Sequence, residues 1–521
     1  MNVKLLDSTL RDGAQARGIA YTVEDKIHVL KTLDDLGIHY VECGNPSSNE
    51  KDYNFFKKIK DIKLNHAQVV AFGATRKCNT SVKDDVYLKR LIDANTDVVS
   101  IVGKSHDGQV LNILNTKLEE NLNMIEDTIS YLVDLGKEVI FDAEHFFDGF
   151  KKNPDYAIKT LLCAKNAGAS VLTLCDTNGG SFPDEIGSIV KEVKKEVDIP
   201  LGIHTHNDMN FADANSYVAV ENGTRLVQGT FIGFGERCGN ANLSSIIPTL
   251  QFKKGYKCIK EESLKKLTHS ANFIAEISNI VLPNTLPYVG SNAFTHKGGM
   301  HVDGVNKSTF SFEHIAPAKV GNNRNILFSD LAGRTALLET ISDIDNTLTK
   351  EDDRVIEITE KLKHMEYLGY QYENATASLK LLVLKKLKKF KPHFETEFFR
   401  VFEEHNNSGT TKNSSALIKV AAGEKYEITA AEGNGPVNAL DNALRKALLS
   451  FYPRLKEMKL IDFKVRVVNP GGKTGAKVRV IIESDDGHSN WTTIGVSEDV
   501  INASFLALVD SFEYKLLLDE E

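Results

Sequence analysis

The 521-residue chain is poor in several features, and each shortage removes a class of protein. Cysteine is scarce: 6 in all, with no CxxC pair and no regular spacing. That pattern points to reduced thiols and away from a disulfide framework or a structural zinc site. Positive charge is in deficit, with 63 Lys+Arg against 71 Asp+Glu and a net charge of -8. General binding to nucleic acid or to an anionic membrane is therefore not expected. No apolar run approaches the roughly 20 residues of a membrane span. The opening "MNVKLLDSTL" has no basic stretch followed by an apolar one, so no secretory signal is expected and the expected location is cytoplasmic. A Gly-rich phosphate loop is missing too. "DSTLRDGAQ" follows the first strand instead, which disfavours a doubly wound nucleotide-binding sheet.

What is present is the composition of a soluble globular enzyme, 41% hydrophobic and 26% charged, in a chain long enough for two or three domains. Short β-branched runs recur at 3–7, 38–44, 68–73, 97–102, 137–142, 171–176, 200–206 and 225–230. Helical-period stretches lie between them. Gly37, Gly136 and Gly168 read as helix stops, and Pro154 as a helix start. Strand then helix, repeated about eight times in about 250 residues, is the rhythm of a (β/α)8 TIM barrel. The rhythm stops near residue 255. A helical stretch over 261–282, a Gly- and His-rich loop at 292–305 and more helix to about 390 follow. The basic run "KKLKKFK" (385–391) reads as a solvated helix face, and "EEHNNSGTTKNSS" (403–415) as a polar loop. Residues 426–452 resemble residues 490–514, which implies a duplicated strand-strand-helix unit. Such a unit serves either a small effector or dimerisation. The expected fold is α/β: a catalytic barrel over 1–260, helical linker subdomains over 261–390 that complete the active site, and an α+β regulatory domain with internal duplication over 391–521.

In such a barrel the active site lies at the C-terminal ends of the strands. That rule selects Arg11 and Asp12 after strand one, Glu42 on strand two and Glu144 just past strand five. It adds Asp176 and Thr177 after strand six, His204 and His206 on strand seven, and Glu236 and Asn240 after strand eight. Strand side chains alternate faces, so His204 and His206 point the same way and can share one divalent cation. Asp12 is the carboxylate that would complete the set, and Asn240 could add an amide oxygen. Arg11 can hold a carboxylate or a developing enolate. Thr177 offers a hydroxyl at the rim or caps a helix. Glu144 is a base, a substrate-orienting carboxylate, or the partner of a barrel lysine. His296 and His301 flank two glycines, and a histidine delivered from outside the barrel could act as a general acid or base.

At these residues the chain resembles a known family. "LLDSTLRDGAQ", "GIHTHND" and "GERCGNANL" look like the signatures of the metal-dependent acyltransferases and lyases that include 2-isopropylmalate, homocitrate and citramalate synthases. "FDAEHFFDGF", "LCDTNGG" and "AFTHKGGMHV" look most like the citramalate branch, and "GAKVRVIIES" and "TIGVSEDVINAS" resemble the family's allosteric domain. The resemblance implies condensation of acetyl-CoA with a 2-oxo acid, pyruvate first and 2-oxoisovalerate as the alternative, followed by thioester hydrolysis. It implies Asp12, His204, His206 and Asn240 around a divalent Mn, Mg or Zn ion. Arg11 would be an oxyanion stabiliser, Thr177 and Glu144 would surround the acceptor, and Glu144 and His301 would move protons. It also implies a homodimer with an amino-acid effector, isoleucine. Three positions, in two segments, depart from the family: Phe312 stands where it usually has Tyr, and Cys43 and Asn45 stand where Gly and Trp are expected.

Overall fold

The eight β-branched runs become eight parallel strands: β1 (Lys4–Asp7), β2 (Tyr40–Glu42), β3 (Gln68–Ala74), β4 (Val98–Lys104), β5 (Glu138–Glu144), β6 (Val171–Asp176), β7 (Leu201–Thr205) and β8 (Leu226–Gly229). They close a barrel in chain order, with β8 paired to β1. The computed structural model describes residues 1–326, 337–338, 344–345, 347–349, 351–403, 413–468 and 476–520.

The interior follows from the period of two. Leu6, Tyr40, Val70, Val98, Ile140, Val171 and Leu226 fill an apolar layer at the base. Two residues further along the same strands stand Glu42, Ser100, Asp142, Thr173 and Gln228, all buried and all polar. Strand β7 carries Gly202 opposite Thr173, where a Cβ would lie 2.7 Å from Thr173 Oγ1. Only glycine leaves room for the threonine there, so the first large inward side chain on β7 is His204. The alternate residues, among them Val41, Val99, Phe141, Leu172 and Ile203, pack outward into the main core with the surrounding helices.

The helix signals hold. The helix Val23–Leu36 begins with a Thr22/Asp25 capping box and ends at left-handed Gly37. Pro154 opens the helix Pro154–Asn166, and Gly136 and Gly168 have positive φ beyond their helices. Two segments differ from expectation. Residues 261–282 form two helices, Glu261–Leu264 and Leu267–Ile277. The Gly- and His-rich segment is not a loop: it contains β9 (Thr295–His296) and a helix, Gly299–Lys307. Extended Gly298 caps that helix, and Val302 and Val305 bury at the i, i+3 spacing that holds it.

Contacts divide the chain into two units: Met1–Phe294 with His314–Arg324, and Thr295–Glu313 with Asn325–Glu521. Residues 261–294 thus count with the barrel. The second unit holds β9, paired with β10 (Asn325–Ile326), and the C-terminal duplication. Each half of the duplication is an antiparallel three-stranded sheet followed by a helix. The first is β11 (Glu395–Phe402), β12 (Ser414–Ala422) and β13 (Lys425–Gly433) with helix Pro436–Leu449. The second is β14 (Lys459–Val467), β15 (Val478–Asp485) and β16 (Asn490–Ser497) with helix Val500–Glu520. Both helices bury their apolar faces in one shared core with the sheets. The expected unit had two strands, and a third is found in each half. Of the polar loop 403–415, residues 404–412 lie outside those described, and Ser414 already belongs to β12. The helix before the basic run ends at Lys386, so most of "KKLKKFK" lies beyond it. Among the described residues, no helix is long and apolar enough to cross a membrane.

Candidate active site

Strand β1 ends at Asp7, and the chain turns at once: the amides of Arg11 and Gly13 both donate to Ser8 O. The turn places Asp12 against the end of β7. His204, on β7, and His206, one residue beyond it, bring their Nε2 atoms to 3.3 Å, and each Nε2 lies 3.9 Å from Asp12 Oδ2. All three side chains are buried, and their ligand atoms lie within 4.8 Å of one another.

Burial pushes His204 down to about 3 and also lowers His206. Burial alone would raise Asp12, but Arg11 and the two histidines hold its carboxyl well below the usual range. At neutral pH the cluster is therefore two neutral imidazoles and a carboxylate, the state a divalent cation requires. Asn240 donates Nδ2 to Asp12 Oδ1 at 2.8 Å, while its buried Oδ1 has no hydrogen-bond partner. An orphaned amide oxygen beside two imidazoles and a carboxylate fits such a cation.

The same numbers predict acid sensitivity. His204 titrates near 6.5 when unfolded and near 3 when folded. As pH falls below about 6.5, the unfolded chain binds a proton that the folded chain refuses, so stability is lost. Asp12 acts in the same direction, because the folded state holds its carboxyl ionised. For metal-free protein, His204 alone is expected to cost up to about 3 kcal/mol by about pH 4.5. Melting curves against pH check this: His204→Gln should flatten the acid slope, and an unchanged slope refutes it.

Arg11 is more than a surface ion pair. Its Nε donates to Glu42 Oε2 at 2.6 Å and its Nη1 to Asp12 Oδ2 at 2.9 Å, while the guanidinium lies 4.2 Å over the Phe72 ring. Ser8 Oγ donates to the same Glu42 oxygen at 2.6 Å. Glu144 is the last residue of β5, not a residue past it, and it pairs with Lys104 at the end of β4. Thr177 caps no helix: the next one starts at Pro183, capped by Phe182. Instead its Oγ1 accepts the His145 amide at 2.8 Å. His301 belongs to the second unit, exposed on its helix, with its ring stacked on Phe312 at 4.1 Å and 16°. His296 pairs with Glu313, 3.3 Å away.

Arg11, Asp12, Glu144, Thr177, His204 and His206 all line one cavity of about 590 Å³ at the strand ends. That is enough for a small acid and part of a longer substrate. Several contributors escaped the sequence reading. Lys26 is buried and donates to Leu10 O (3.0 Å), Cys43 O (2.8 Å) and Asp52 Oδ1 (2.5 Å), tying the β1 turn to the β2 loop. Cys43 acts there through its carbonyl, and Asn45 lines the cavity. Asp142 and Gln228 lie in the polar layer below, with Asp142 pushed up to about 6 by burial and then by Glu42. A lone polar residue at an inward position of an apolar strand was the available signal for both.

Family models match in three consecutive stretches. One described as HMGL-like covers residues 2–274, one described as homocitrate synthase post-HMGL domain-like covers 288–368, and the LeuA allosteric (dimerisation) domain covers 373–516. An (R)-citramalate synthase of Geobacter sulfurreducens is 50% identical over 519 residues, covering 100% of this chain and 98% of that protein. Its counterpart from Aquifex aeolicus is 49% identical over 520 residues, with 100% and 98% covered. A "Probable 2-isopropylmalate synthase" of Archaeoglobus fulgidus is more distant, 28% identical over 518 residues, with 99% and 97% covered. With half of its residues shared along its full length, the chain belongs to the (R)-citramalate synthases, acyltransferases built on an HMGL-like barrel.

Proposed function

We propose that the enzyme condenses acetyl-CoA with pyruvate and hydrolyses the thioester, giving (R)-citramalate and CoA. The observation that carries this is the placing of Asp12, His204 and His206 beside Arg11 in one cavity, in a chain that matches (R)-citramalate synthases end to end. Asp12, His204, His206 and Asn240 would hold a divalent Mn, Mg or Zn ion, which would supply Lewis-acid polarisation of the 2-oxo acid.

The protein's own groups do the rest. The acetyl methyl gives a proton to a base, its carbon bonds to C2 of pyruvate, and the ketone oxygen becomes an alkoxide that takes a proton. Water then cleaves the thioester and CoA leaves as the thiol. Arg11, clamped by Glu42, presents fixed positive charge where that oxygen turns negative. Thr177 offers its hydroxyl to the acceptor carboxylate. Glu144 is a base at the cavity wall, and His301 is the second candidate by motif.

The LeuA-type domain supports a homodimer with small-molecule control. We read the effector as isoleucine. A cavity of about 510 Å³ beside the helix Pro436–Leu449 combines the Asp441–Arg445 pair with Leu449, Leu460 and Phe463, the chemistry of a branched amino acid. The enzyme is read as cytoplasmic, consistent with six free cysteines.

CoA-thiol release across a panel of 2-oxo acids tests the reading. Pyruvate is expected to give the highest kcat/KM, and isoleucine to lower it. Turnover with 2-oxoisovalerate but not with pyruvate would make the enzyme a 2-isopropylmalate synthase.

A further inference from the structure

The polar layer beneath the histidines contains a chain of contacts that the reaction does not use. Gln228, on β8, is 1% exposed. Its Nε2 donates to Asp142 Oδ1 at 2.7 Å and to Thr173 Oγ1 at 3.0 Å. An amide nitrogen has two hydrogens, so both are committed. Flipping the amide would set its oxygen against the Asp142 carboxylate, and the network therefore assigns the orientation. Asp142 is itself anchored on its other oxygen by Ser100. Gln228 Oε1 is left buried with no partner.

Strand register shows which residue stands beside it. Gln228 pairs directly with His204 across the β7–β8 ladder, so the two side chains stand side by side on the inner face. His204 Nδ1 is also buried without a partner. A buried acceptor and a buried ring nitrogen, each unsatisfied and on directly paired residues, are complementary.

We infer that Gln228 is a positioning residue for His204: its Oε1 accepts the Nδ1–H of the imidazole, fixes the tautomer and leaves Nε2 bare toward Asp12. This rests on the reading of His204 as a metal ligand, since the gain is a pre-set donor atom. Metal-bound histidines commonly have their second nitrogen held in this way, and losing the partner weakens binding by about 10- to 100-fold.

Two measurements test it. The first needs no metal: long-range ¹H–¹⁵N correlation on histidine-labelled, metal-free enzyme, with His204 assigned by its loss in His204→Gln. The expected result is an Nδ1–H tautomer. An Nε2–H tautomer overturns the proposal. The second is Mn²⁺ titration by calorimetry of wild type and Gln228→Met, which keeps the volume and removes the acceptor. Gln228→Met should bind Mn²⁺ about 10- to 100-fold more weakly. Equal affinity in a folded variant overturns the proposal. Should wild type bind no Mn²⁺, the metal reading itself fails, and the tautomer still decides the Gln228–His204 bond.

Discussion

Replacing Asp12 by Asn is expected to abolish measurable turnover while leaving the protein folded. Among the described residues, Asp12 is the one carboxylate in the cluster with His204 and His206. It is held ionised by Arg11. Removing the charge forfeits a ligand of the proposed metal site, and with it several kcal/mol of transition-state stabilisation. On the rate scale that is roughly three orders of magnitude or more. Folding should survive for a specific reason. The two histidines are neutral in the buried state, so loss of Asp12 strands no imidazolium. Arg11 keeps its bond to Glu42. The Asn side chain can still accept from Asn240, which now donates to Asp12 Oδ1. Steady-state thiol release, metal content by elemental analysis and a thermal melt read the three parts separately. A variant that works within tenfold of wild type, at equal metal content, would falsify the assignment.

How much of this could be read from residues alone differs by element. The barrel strands are buried on both faces, so they show as short continuous apolar runs, and the positions of all eight agree with the expected ones to within two residues at most ends. His204 and His206 were legible because two inward residues on one strand must share a face. Asp12 followed from the rule that strand ends meet at the mouth. The polar layer was not legible. Whether Gln228 meets Asp142, Thr173 or His204 depends on the stagger of the barrel, and no single strand's sequence encodes stagger. Glu144 shows the same limit: its pairing with Lys104 depends on β4–β5 register. Thr177 was misread as a possible cap because residues 178–182 separate it from the helix that starts at Pro183. Glycine misled at Gly298 and Gly299, where it caps a helix and does not make a loop. The extra strands β11 and β14 are largely exposed and lie outside the two repeated segments, 426–452 and 490–514, from which the duplicated unit was read.

Arg11 is the other position where a large effect is expected, and there two losses must be separated. Nε binds Glu42 and Nη1 binds Asp12, whereas Nη2 takes part in neither bond and is free to meet a substrate oxygen. Arg11→Ala should cost about 10²- to 10³-fold in kcat, the usual scale for removing one donor that stabilises an oxyanion. It should also cost about 3–5 kcal/mol in stability, because Glu42 is fully buried and would lose its charge partner. Activity lost in Arg11→Ala alone could therefore reflect a damaged barrel mouth. The double substitution Arg11→Met with Glu42→Gln separates the causes. It removes both buried charges at similar volume, and Ser8 Oγ can still donate to the Gln side-chain oxygen. Melting temperature should return toward wild type in the double variant, while kcat stays down by about 10²-fold or more. Arg11→Lys should fall between: it keeps the charge as a point on a flexible stem but cannot span Glu42 and Asp12 together. If the double variant regains both stability and turnover, Arg11 serves only to neutralise Glu42, and the oxyanion must be stabilised by another group.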